Sequence, residues 1–559
     1  MKIKATFLIL ISVLAIQQTC LAQQIPIGSL TESYFRQLQL ENRLDSNLSF
    51  TIRPLSYAYL KTGLKKPKVS RAIDSLNLYT SIIDQKNLTF SLLPISLQQQ
   101  INTNHPYGWN DGAMIPARGY QSLISAGFYL KAGPLSIQLQ PEYLYAQNTA
   151  FDDFGKYHSD ADLINYYSYH RQTDQPERFG NNPYQKILWG QSNISLNYKW
   201  LSLSLSNENK WWGPGIRNSL IMSNHAPGFK NISLHSSKPI HIGIGSLEFE
   251  MFGGRLEESK QSALVANRTS NGTLLYNAKN PDWRYLSGLT FSYQPKWIPG
   301  LFLGLTRTFQ AYHNDVNSFS EYFPFLTPYQ KINTNDGDPI PRDQLSSVYA
   351  RWLFSKSHAE VYFEYGANDN ALDFRDFLGS PQHARAYIFG FRKLIPLDYK
   401  EETFLSLATE ITQLSQTPDR MVRGAGSWYY HGEVLQGYTN LGQVLGAGTG
   451  SSGDLQSFSV NYLRGFKNLG FRFERWVHDQ DYYAAIIGDR NNQSRSWVDL
   501  SFAITGQWQF KHHVILTTEL NYIKSLNYQW VDLAPAGNYY PIGKDVSNFH
   551  GVLGLSYYF

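Results

Sequence analysis

The hexapeptide LSLSLS at residues 201–206 alternates leucine with serine, so an extended strand here has one apolar face and one polar face. The preceding stretch has the same period, because Ile194, Leu196 and Tyr198 alternate with polar residues. A period of two is typical of β-strands, since successive side chains point to opposite sides. The alternation fits either a barrel strand with one face in lipid or a strand of a water-soluble sandwich.

The lengths of the connections favour the barrel. Candidate strands pair across tight turns, and long, polar, aromatic-rich stretches separate the pairs, as in bacterial outer-membrane barrels. Counting predicts about nine long connections and eight short ones, hence about 18 antiparallel strands with both chain ends in the periplasm. The tight turns lie near Ala132-Gly133, Lys199-Trp200, Gly245-Ser246, Ile298-Pro299, Ser355-Lys356, Pro396-Asp398, Lys467-Asn468 and Phe510-Lys511, and the long stretches include residues 149–186, 211–229, 314–342, 415–452 and 527–545.

The composition agrees with an all-β transmembrane protein. Aromatic residues make up 15% of the 559 residues, with 38 tyrosines and 32 phenylalanines, while the mean hydropathy is only −0.36. Outer-membrane barrels combine aromatic girdles with a polar interior and therefore have low overall hydropathy. A net charge of +5 with 17% charged residues argues against a nucleic-acid-binding protein.

The first 22 residues have the layout of a secretory signal peptide. Lys2 and Lys4 precede an apolar run at residues 7–16, and a cleavage site follows Ala22. Gln17 and Thr19 differ from a lipobox, which argues against lipidation of Cys20. The mature chain then contains no cysteine, which excludes disulfides, thiolate metal ligands and cysteine nucleophiles.

Residues 23–86 are predicted to form a small helical segment that plugs the barrel or lies at its periplasmic mouth. Residues 29–32 read as a capping box, and apolar residues follow at helical spacing to Leu40. A second helix is predicted from Val69 to Asp84. The domain organisation is therefore a signal peptide at 1–22, a helical segment at 23–86 and a barrel at 87–559.

The last predicted strand carries apolar residues on one face and ends in Phe559. Such an amphipathic C-terminal strand resembles the signal that the barrel-insertion machinery of Gram-negative bacteria recognises. We therefore expect the cell outer membrane as the location, with its lipid and the insertion machinery as partners.

Several motifs resemble the Wzi capsule-assembly family. They are NENKWWGPG at residues 207–215, IRNSLIMSNHAPG at 216–228, PYGWNDG at 106–112, YHG at 430–432, GYTNLGQVLG at 437–446, and ERW at 474–476 with HDQD at 478–481. They follow one another over most of the chain. The resemblance implies an 18-stranded barrel, a helical element that closes the periplasmic side, and lectin-like retention of capsular polysaccharide at the cell surface.

Three clusters of aromatic and polar residues are predicted in the outer loops and are candidates for polysaccharide binding. An exposed indole can pack against the C–H face of a sugar, and Arg can pair with an acidic sugar. The competing interpretation of the tryptophan pair is an interfacial aromatic girdle or packing under a loop, and that of the polar residues after it is a loop whose hydrogen bonds are satisfied within itself. The candidates are Trp211, Trp212, Arg217, Asn218, Asn224 and His225; Tyr107, Trp109, Asn110 and Asp111; and Trp428, Tyr429, His431 and Tyr438.

Other charged residues are interpreted structurally. His478, Asp479 and Asp481 are expected in a solvated turn at the rim rather than at a metal or acid–base site. Mixed charges on the inner face predict a plugged lumen rather than a pore of one sign. The inward acids are Glu248, Glu250, Glu360, Glu364, Glu474, Asp499 and Glu519, and the inward bases are Lys199, Lys210, Arg351 and Arg472.

No phosphate-binding glycine loop, nucleophile elbow or zinc-protease motif occurs in the sequence. We therefore predict no catalytic residues, no metal and no cofactor. The leading hypothesis is a non-enzymatic barrel that binds surface polysaccharide and helps its assembly or attachment, with export components as further partners. The alternative is an outer-membrane channel for small solutes or saccharides, which 18 strands could enclose.

Overall fold

A computed structural model describes residues 23–65, 81–85, 87–326, 340–368, 374–398, 402–416, 426–487, 496–510, 513–533 and 542–559. Eighteen antiparallel strands form one closed barrel, which confirms the predicted number and fold class. The strands are β1 Leu88–Asn102, β2 Gly119–Ala132, β3 Leu135–Leu139 with Glu142–Ala146, β4 Tyr184–Leu188 with Asn193–Tyr198, β5 Leu201–Ser206, β6 Asn231–Ser236 with Ile240–Ile242, β7 Gly245–Leu256, β8 Arg284–Pro295, β9 Leu301–Tyr312, β10 Arg342–Phe354, β11 Ala359–Asn368, β12 Arg385–Asp398, β13 Thr403–Gln413, β14 Asp454–Arg464, β15 Lys467–Val477, β16 Val498–Phe510, β17 Val514–Leu526 and β18 Val546–Tyr557.

The barrel closes because β18 pairs with β1, from His550 opposite Asn102 to Tyr557 opposite Ile95. Closure leaves no unpaired sheet edge, which is what a strand-built protein needs in a bilayer. Short turns connect the strands at one end of the barrel, the short-turn end. Long connections lie at the other, the long-loop end.

The register explains the sequence alternation. Leu203 of β5 lies opposite Leu196 of β4, and both side chains point outward, whereas Ser204 opposite Ser195 points into the lumen. The same pattern recurs around the wall, so large apolar side chains cover the outer face. An apolar outer band with a polar interior is the surface of an outer-membrane barrel. No described helix is both long and apolar enough to cross a membrane.

The shorter elements lie inside or above the barrel. The helices are α1 Leu30–Leu40, α2 Tyr57–Thr62, α3 Asp160–His170, α4 Phe319–Tyr322, α5 Phe374–Gly379 and α6 Gln480–Tyr482, which continues into a π-turn at Tyr483–Ile487; 3-10 turns occur at Phe154–Lys156, His313–Asp315, Pro324–Leu326, Ser355–Ser357 and Tyr528–Trp530. The short strands are Gln24–Ile25 with Leu55–Ser56, Ile52–Arg53 with Trp211–Trp212, Thr269–Ser270 with Thr273–Leu274, Thr439–Asn440 with Gln443–Val444, and Ser81–Gln85, which pairs with β1.

The first predicted helix is present as α1. The Ser29 hydroxyl accepts from the Glu32 backbone N–H at 3.3 Å, and the Glu32 carboxylate accepts from the Gly28 N–H at 2.7 Å. The second predicted helix is wrong where it can be compared, because residues 81–85 form a strand; residues 66–80 lie outside the described residues. Ile82 and Ile83 are exposed, so pairing with β1 rather than helical burial accounts for them.

Residues 23–65 pack inside the short-turn end, and we call them the plug. The Tyr34 ring stacks on Phe466 at 4.1 Å, and Leu40 packs against Leu353 and Phe404, all of which lie at short turns or strand ends. The Arg36 guanidinium bonds the Glu360 carboxylate of β11 at 3.2 Å, and Arg351 of β10 bonds the same carboxylate at 2.6 Å. The plug is therefore fixed to the wall by buried ion pairs as well as by apolar contacts.

The predicted inward charges behave as lumen filling, with one exception. Lys210 bonds Glu250 at 2.5 Å, and Arg472 bonds both Glu474 and Glu519. Lys199, however, lies exposed in the turn between β4 and β5, with its ammonium 5.3 Å from the centre of the Tyr198 ring. Lys199 lies beyond the last paired residues, Tyr198 and Leu201, and is exposed at the end of the barrel, so this inward assignment is wrong.

Candidate functional site

A cleft of about 260 Å³ lies between the long connections at the long-loop end. Residues from six of these connections line the cleft, so distant parts of the chain meet around it. Its aromatic, charged and polar lining includes Phe154, Tyr166, His170, Glu177, His225, Tyr430, Thr449, Trp476, His478, Asp479, Trp497, Tyr528, Gln529 and Trp530. We call this cavity the rim cleft.

One wall of the rim cleft is a continuous stack of rings. Trp109 stacks on Trp476 with centroids 5.3 Å apart and planes 6° from parallel. His478 lies 3.8 Å from Trp476 on one side and 3.8 Å from Trp497 on the other. Trp476 and His478 are each held between two other rings, and the wall presents the indole surface of Trp476 and Trp497 to the cavity.

A second group of rings faces that wall. Phe154 and Tyr166 stack with centroids 4.2 Å apart, and Tyr166 stacks on His170 at 4.1 Å. Trp530 packs edge to face on Trp497 at 5.4 Å and joins the two groups. Helix α3 positions Tyr166 and His170 on one side because they are four residues apart.

The cleft also contains buried polar atoms that lack a hydrogen-bond partner among the described residues. They are Nδ1 of His225, Oγ1 of Thr449, Oε1 of Gln529 and Nε1 of Trp530. All four residues are less than 10% exposed. Buried polar groups are normally bonded to protein, water or ligand, so a sugar hydroxyl group that reaches these covered atoms would satisfy them.

The charged groups of the cleft are acidic or histidine. Asp479 pairs with His170 at 3.2 Å, and His478 pairs with Asp499 of β16 at 2.9 Å. The Glu177 carboxylate accepts from the Phe154 N–H at 3.2 Å, while burial raises the pKa of Glu177 to about 7. Among the described residues, no three His, Cys, Asp or Glu side chains are grouped to hold a metal ion.

Part of the first predicted cluster lies at the cleft. Trp109 forms the back of the ring stack, and Tyr107 packs edge to face on Trp476 at 6.2 Å. Asn110 donates to the Arg217 carbonyl instead, and Asp111 accepts from Gln100 at 2.8 Å beside a second cavity within the lumen. Tyr107 and Trp109 are buried and do not line the cavity, so they support the wall from behind and do not form an exposed platform.

The tryptophan pair does not lie at an exposed rim, which corrects the predicted placement. Trp211 is 4% exposed and Trp212 is fully buried, because residues 207–230 fold back into the lumen. The pair forms a short strand with Ile52–Arg53 of the plug, and the Arg53 guanidinium lies 4.3 Å from the Trp211 ring centre. Trp212 donates to the Glu250 carboxylate at 2.9 Å.

The turn after this pair explains the GPG motif. Gly213 has a φ of +136°, and a Cβ there would lie 2.7 Å from the Glu364 carboxylate. At Gly215 a Cβ would lie 1.8 Å from the Asn218 carbonyl oxygen. The glycines are therefore required for folding the loop into the barrel.

Arg217, Asn218, Asn224 and His225 lie in the same folded-back loop. Arg217 makes a two-point bond with Glu474, at 2.8 and 3.2 Å, and lies 5.1 Å from the centre of Trp109. Asn218 is fully buried and donates to Thr412, and Asn224 donates to the Asn110 carbonyl. Of these residues, His225 reaches the rim cleft.

The third predicted cluster is also interior. Trp428, Tyr429 and Tyr438 are buried in the largest apolar core, where the Tyr429 hydroxyl donates to the Leu220 carbonyl at 2.8 Å. His431 is partly exposed, but its ring nitrogen accepts from the Glu433 and Val434 N–H groups of its own turn. These contacts correct the expectation of an exposed platform here.

His478, Asp479 and Asp481 are not in a solvated turn, contrary to the sequence interpretation. His478 and Asp479 line the cleft, and Asp481 accepts from Ser452 at 2.6 Å and from the Gln416 N–H at 2.8 Å. Burial raises the pKa of Asp481 to about 6. The described residues of the loop after β15 fold over the barrel, so these side chains point inward and not into solvent.

Sequence reasoning missed most of the cleft. Phe154, Tyr166, Glu177, Trp497 and Trp530 come from three separate connections, at residues 147–183, 478–497 and 527–545. The abundance of aromatic residues in these connections was the one feature of the sequence that pointed to the cleft. Nothing local to any one connection indicates which rings meet.

A search of solved structures finds the same fold. The Escherichia coli outer-membrane protein Wzi, described as a carbohydrate-binding β-barrel involved in group 1 capsule assembly, is 14% identical, with a TM-score of 0.61 over 96% of this chain and 100% of that chain. Acinetobacter baumannii OccAB2 is 11% identical, with a TM-score of 0.39 over 83% and 97%. Pseudomonas aeruginosa OpdQ is 8% identical, with a TM-score of 0.37 over 83% and 97%.

No curated protein matches the chain by sequence. The family described as capsule assembly protein Wzi matches residues 117–525, which are well over half of the chain. The barrel is thus a protein of the cell outer membrane, and by this match the chain belongs to the Wzi capsule assembly family.

Proposed function

We propose that the protein is a non-enzymatic outer-membrane barrel that binds surface polysaccharide in the rim cleft and helps its assembly or attachment to the cell. The observation that carries the proposal is the cleft itself. It combines two groups of aromatic rings with four unpartnered polar atoms. Rings pack on the C–H faces of sugars, while donors and acceptors bond the hydroxyl groups.

The position of the cleft supports this role. Long connections of such barrels are extracellular, so the cleft opens where surface polysaccharide lies. A long polymer with repeating units can bind several barrels at once or rebind to the same barrel. Its high effective concentration near the surface then allows weak individual contacts to retain it. The family and the E. coli carbohydrate-binding relative point to the same ligand class.

We assign no catalytic role to the two carboxylates of the cleft. Asp479 is paired with His170, and Glu177 accepts a backbone N–H. Unchanged length of the polysaccharide after prolonged incubation with the protein is the expected result; shortening would contradict a purely binding role.

The binding test uses the purified, detergent-folded protein and polysaccharide from its own source cells. We expect saturable binding that Trp497→Ala with Trp530→Ala weakens at least about tenfold, since stacking residues at binding centres each contribute 1 kcal/mol or more. Trp297→Ala is the matched control, because Trp297 is 66% exposed in a turn at the opposite end. Equal binding by the double variant and the wild type would overturn the proposal.

A cell assay tests the assembly role. Cells carrying the double variant should release polysaccharide to the medium while keeping a folded barrel in the outer membrane. Export components and the barrel-insertion machinery are proposed partners, and cross-linking from the plug would identify proteins at the periplasmic side.

The channel alternative has less support. The plug fills the short-turn end, and residues 207–230 fold down from the other end to pair with it through Trp211 and Arg53. Among the described residues, the lumen is filled by buried side chains over this depth. Large, steady currents in a planar bilayer would favour the channel.

A further inference from the structure

We propose that the rim cleft selects uncharged or amino sugars and disfavours acidic ones, with Glu177 and Asp479 as the residues that determine this specificity. The inference rests on the proposed function and names the sugar class for the same site. Its starting point is the charge of the lining. Apart from tyrosines, the ionisable groups there are two carboxylates and three histidines, and no Lys or Arg is among the described lining residues.

The histidines do not supply a free positive charge. His170 is paired with Asp479, and His478 is paired with Asp499 while its ring is held between Trp476 and Trp497. Burial lowers the pKa of His225 to about 4, so this ring is neutral at physiological pH. The cleft therefore offers no unpaired positive charge, and Glu177 adds a negative charge whenever it is ionised.

The arginine that could have paired with an acidic sugar is engaged elsewhere. Arg217 bonds Glu474 at two points and lies against Trp109, on the side away from the cavity. Glu474 is almost fully buried, so releasing Arg217 would leave a buried carboxylate without its partner. Arg217 is thus part of the support for the ring stack.

Two cations beside the cleft face a different space. Arg171 and Lys279 line a smaller groove on the other side of Tyr166 and Glu177. Lys279 already donates to the Thr173 carbonyl. A carboxylate seated in the rim cleft would meet Glu177 and Asp479 before either of these cations.

The unpartnered atoms suit a hydroxyl-rich or amide-bearing ring. Trp530 Nε1 can only donate, Gln529 Oε1 can only accept, and Thr449 can do both. A sugar hydroxyl also donates and accepts, and the ammonium of an amino sugar would find an acceptor in Glu177. An acidic sugar would add like-charge repulsion, which for charges about 4 Å apart weakens binding about fivefold even in a water-like dielectric.

The test compares the native polysaccharide of the source cells with the same material after chemical reduction of its carboxyl groups to hydroxymethyl groups. We expect the reduced form to bind at least as tightly as the native form. If composition analysis of the bound polymer finds no acidic sugar, the proposal stands directly. Tighter binding of the acidic form, lost in the Trp497→Ala, Trp530→Ala variant, would overturn it.

Salt dependence gives a second readout. Raising NaCl from low to high concentration should strengthen or leave unchanged the binding of an acidic polymer to the wild type, because screening removes repulsion. Glu177→Gln with Asp479→Asn should bind the acidic polymer about fivefold or more tightly at low salt, by removal of that repulsion. Glu433→Gln, an exposed acid at the same end, is the matched control. Weaker binding of acidic polymer by the double variant would contradict the proposal.

The two proposals fail in different ways. If neither form of the polysaccharide binds a folded barrel, the proposed function is wrong, and the inferred sugar specificity is wrong as well. If the polymer binds through Trp497 and Trp530 but prefers its acidic form, polysaccharide binding stands and the inferred specificity is wrong.

Discussion

Two sets of long connections have similar composition and different positions. Residues 207–230 and 426–453 fold into the lumen, where Trp212 and Trp428 are fully buried. Residues 147–183 and the described residues of the connections after β15 and β17, 478–487, 496–497, 527–533 and 542–545, bring Tyr166, Trp497 and Trp530 around a cleft above the barrel. The comparison teaches that a loop rich in aromatic residues can either pack into the lumen or line a cleft. The space available beneath the loop decides between these two outcomes.

The largest effect should come from the ion pairs that join plug and wall. Glu360→Ala removes the one carboxylate that bonds both Arg36 and Arg351, and leaves two buried guanidinium groups without it. We expect a loss of about 3–5 kcal/mol in the free energy of unfolding, as for other broken buried pairs. Denaturant unfolding in detergent measures it, with surface Glu433→Gln as a control, and an unchanged midpoint would contradict the role assigned to the pair.

The sharpest test of the comparison replaces one tryptophan from each set with alanine. Trp212→Ala should destabilise the barrel by about 3–5 kcal/mol, because a large buried side chain is lost from the core. Trp530→Ala should weaken polysaccharide binding while moving the unfolding midpoint much less, because Trp530 packs in the loops above the barrel. A larger stability loss for Trp530→Ala than for Trp212→Ala would reverse the distinction between the two sets.

A glycine tests how the loop enters the lumen. Gly213→Ala places a Cβ beside Glu364 in a backbone conformation that L-residues rarely adopt, and we expect a cost of about 1–3 kcal/mol. Gly432→Ala is the matched control, since a Cβ there meets no atom within 4 Å. Unfolding midpoints of the two variants should separate clearly; equal midpoints would show that the turn tolerates a side chain.

The smallest expected effect concerns pH and the upper loops. Because burial raises the pKa of Glu177 from 4.5 to about 7, its protonated form is favoured in the folded loop. This contribution to loop stability is present below about pH 4.5 and is lost as pH rises through about 7. Amide hydrogen exchange, corrected for its intrinsic pH dependence, should give greater protection in residues 147–183 at pH 5 than at pH 8.

Glu177→Gln provides the control for that prediction, since the amide does not titrate. The difference in protection between pH 5 and pH 8 should shrink in this variant. A difference of the same size in the variant and the wild type would assign the effect to another group.

The barrel could be predicted because its determinants are local. Strand direction is encoded by alternation such as Leu203 beside Ser204, and strand number by the lengths of turns and loops. Helix α1 followed from its cap at Ser29. The strand at Ser81–Gln85 could not be predicted, because isoleucines at 82 and 83 fit either period and the pairing with β1 decides between them.

The site is less predictable because it is assembled from distant residues. Of the residues identified in the sequence, His225 lines the rim cleft, and Tyr107 and Trp109 pack behind it against Trp476, whereas Trp211, Arg217 and Tyr438 lie within the filled lumen. Whether the identified residues bind polysaccharide stays a prediction. The sequence contains the residue types for sugar binding, but their exposure depends on contacts between loops.

The sequence by itself therefore determined the closed wall, since the period of two fixes which side chains face lipid and short turns fix which strands are neighbours. The tertiary structure alone decided which segments fill the lumen and which lie above the barrel. Trp211 meets Arg53, and Trp530 meets Trp497, across separations that no local pattern encodes. The physical reason is that burial and ring stacking depend on how distant segments pack against one another, and a local sequence pattern does not specify that packing.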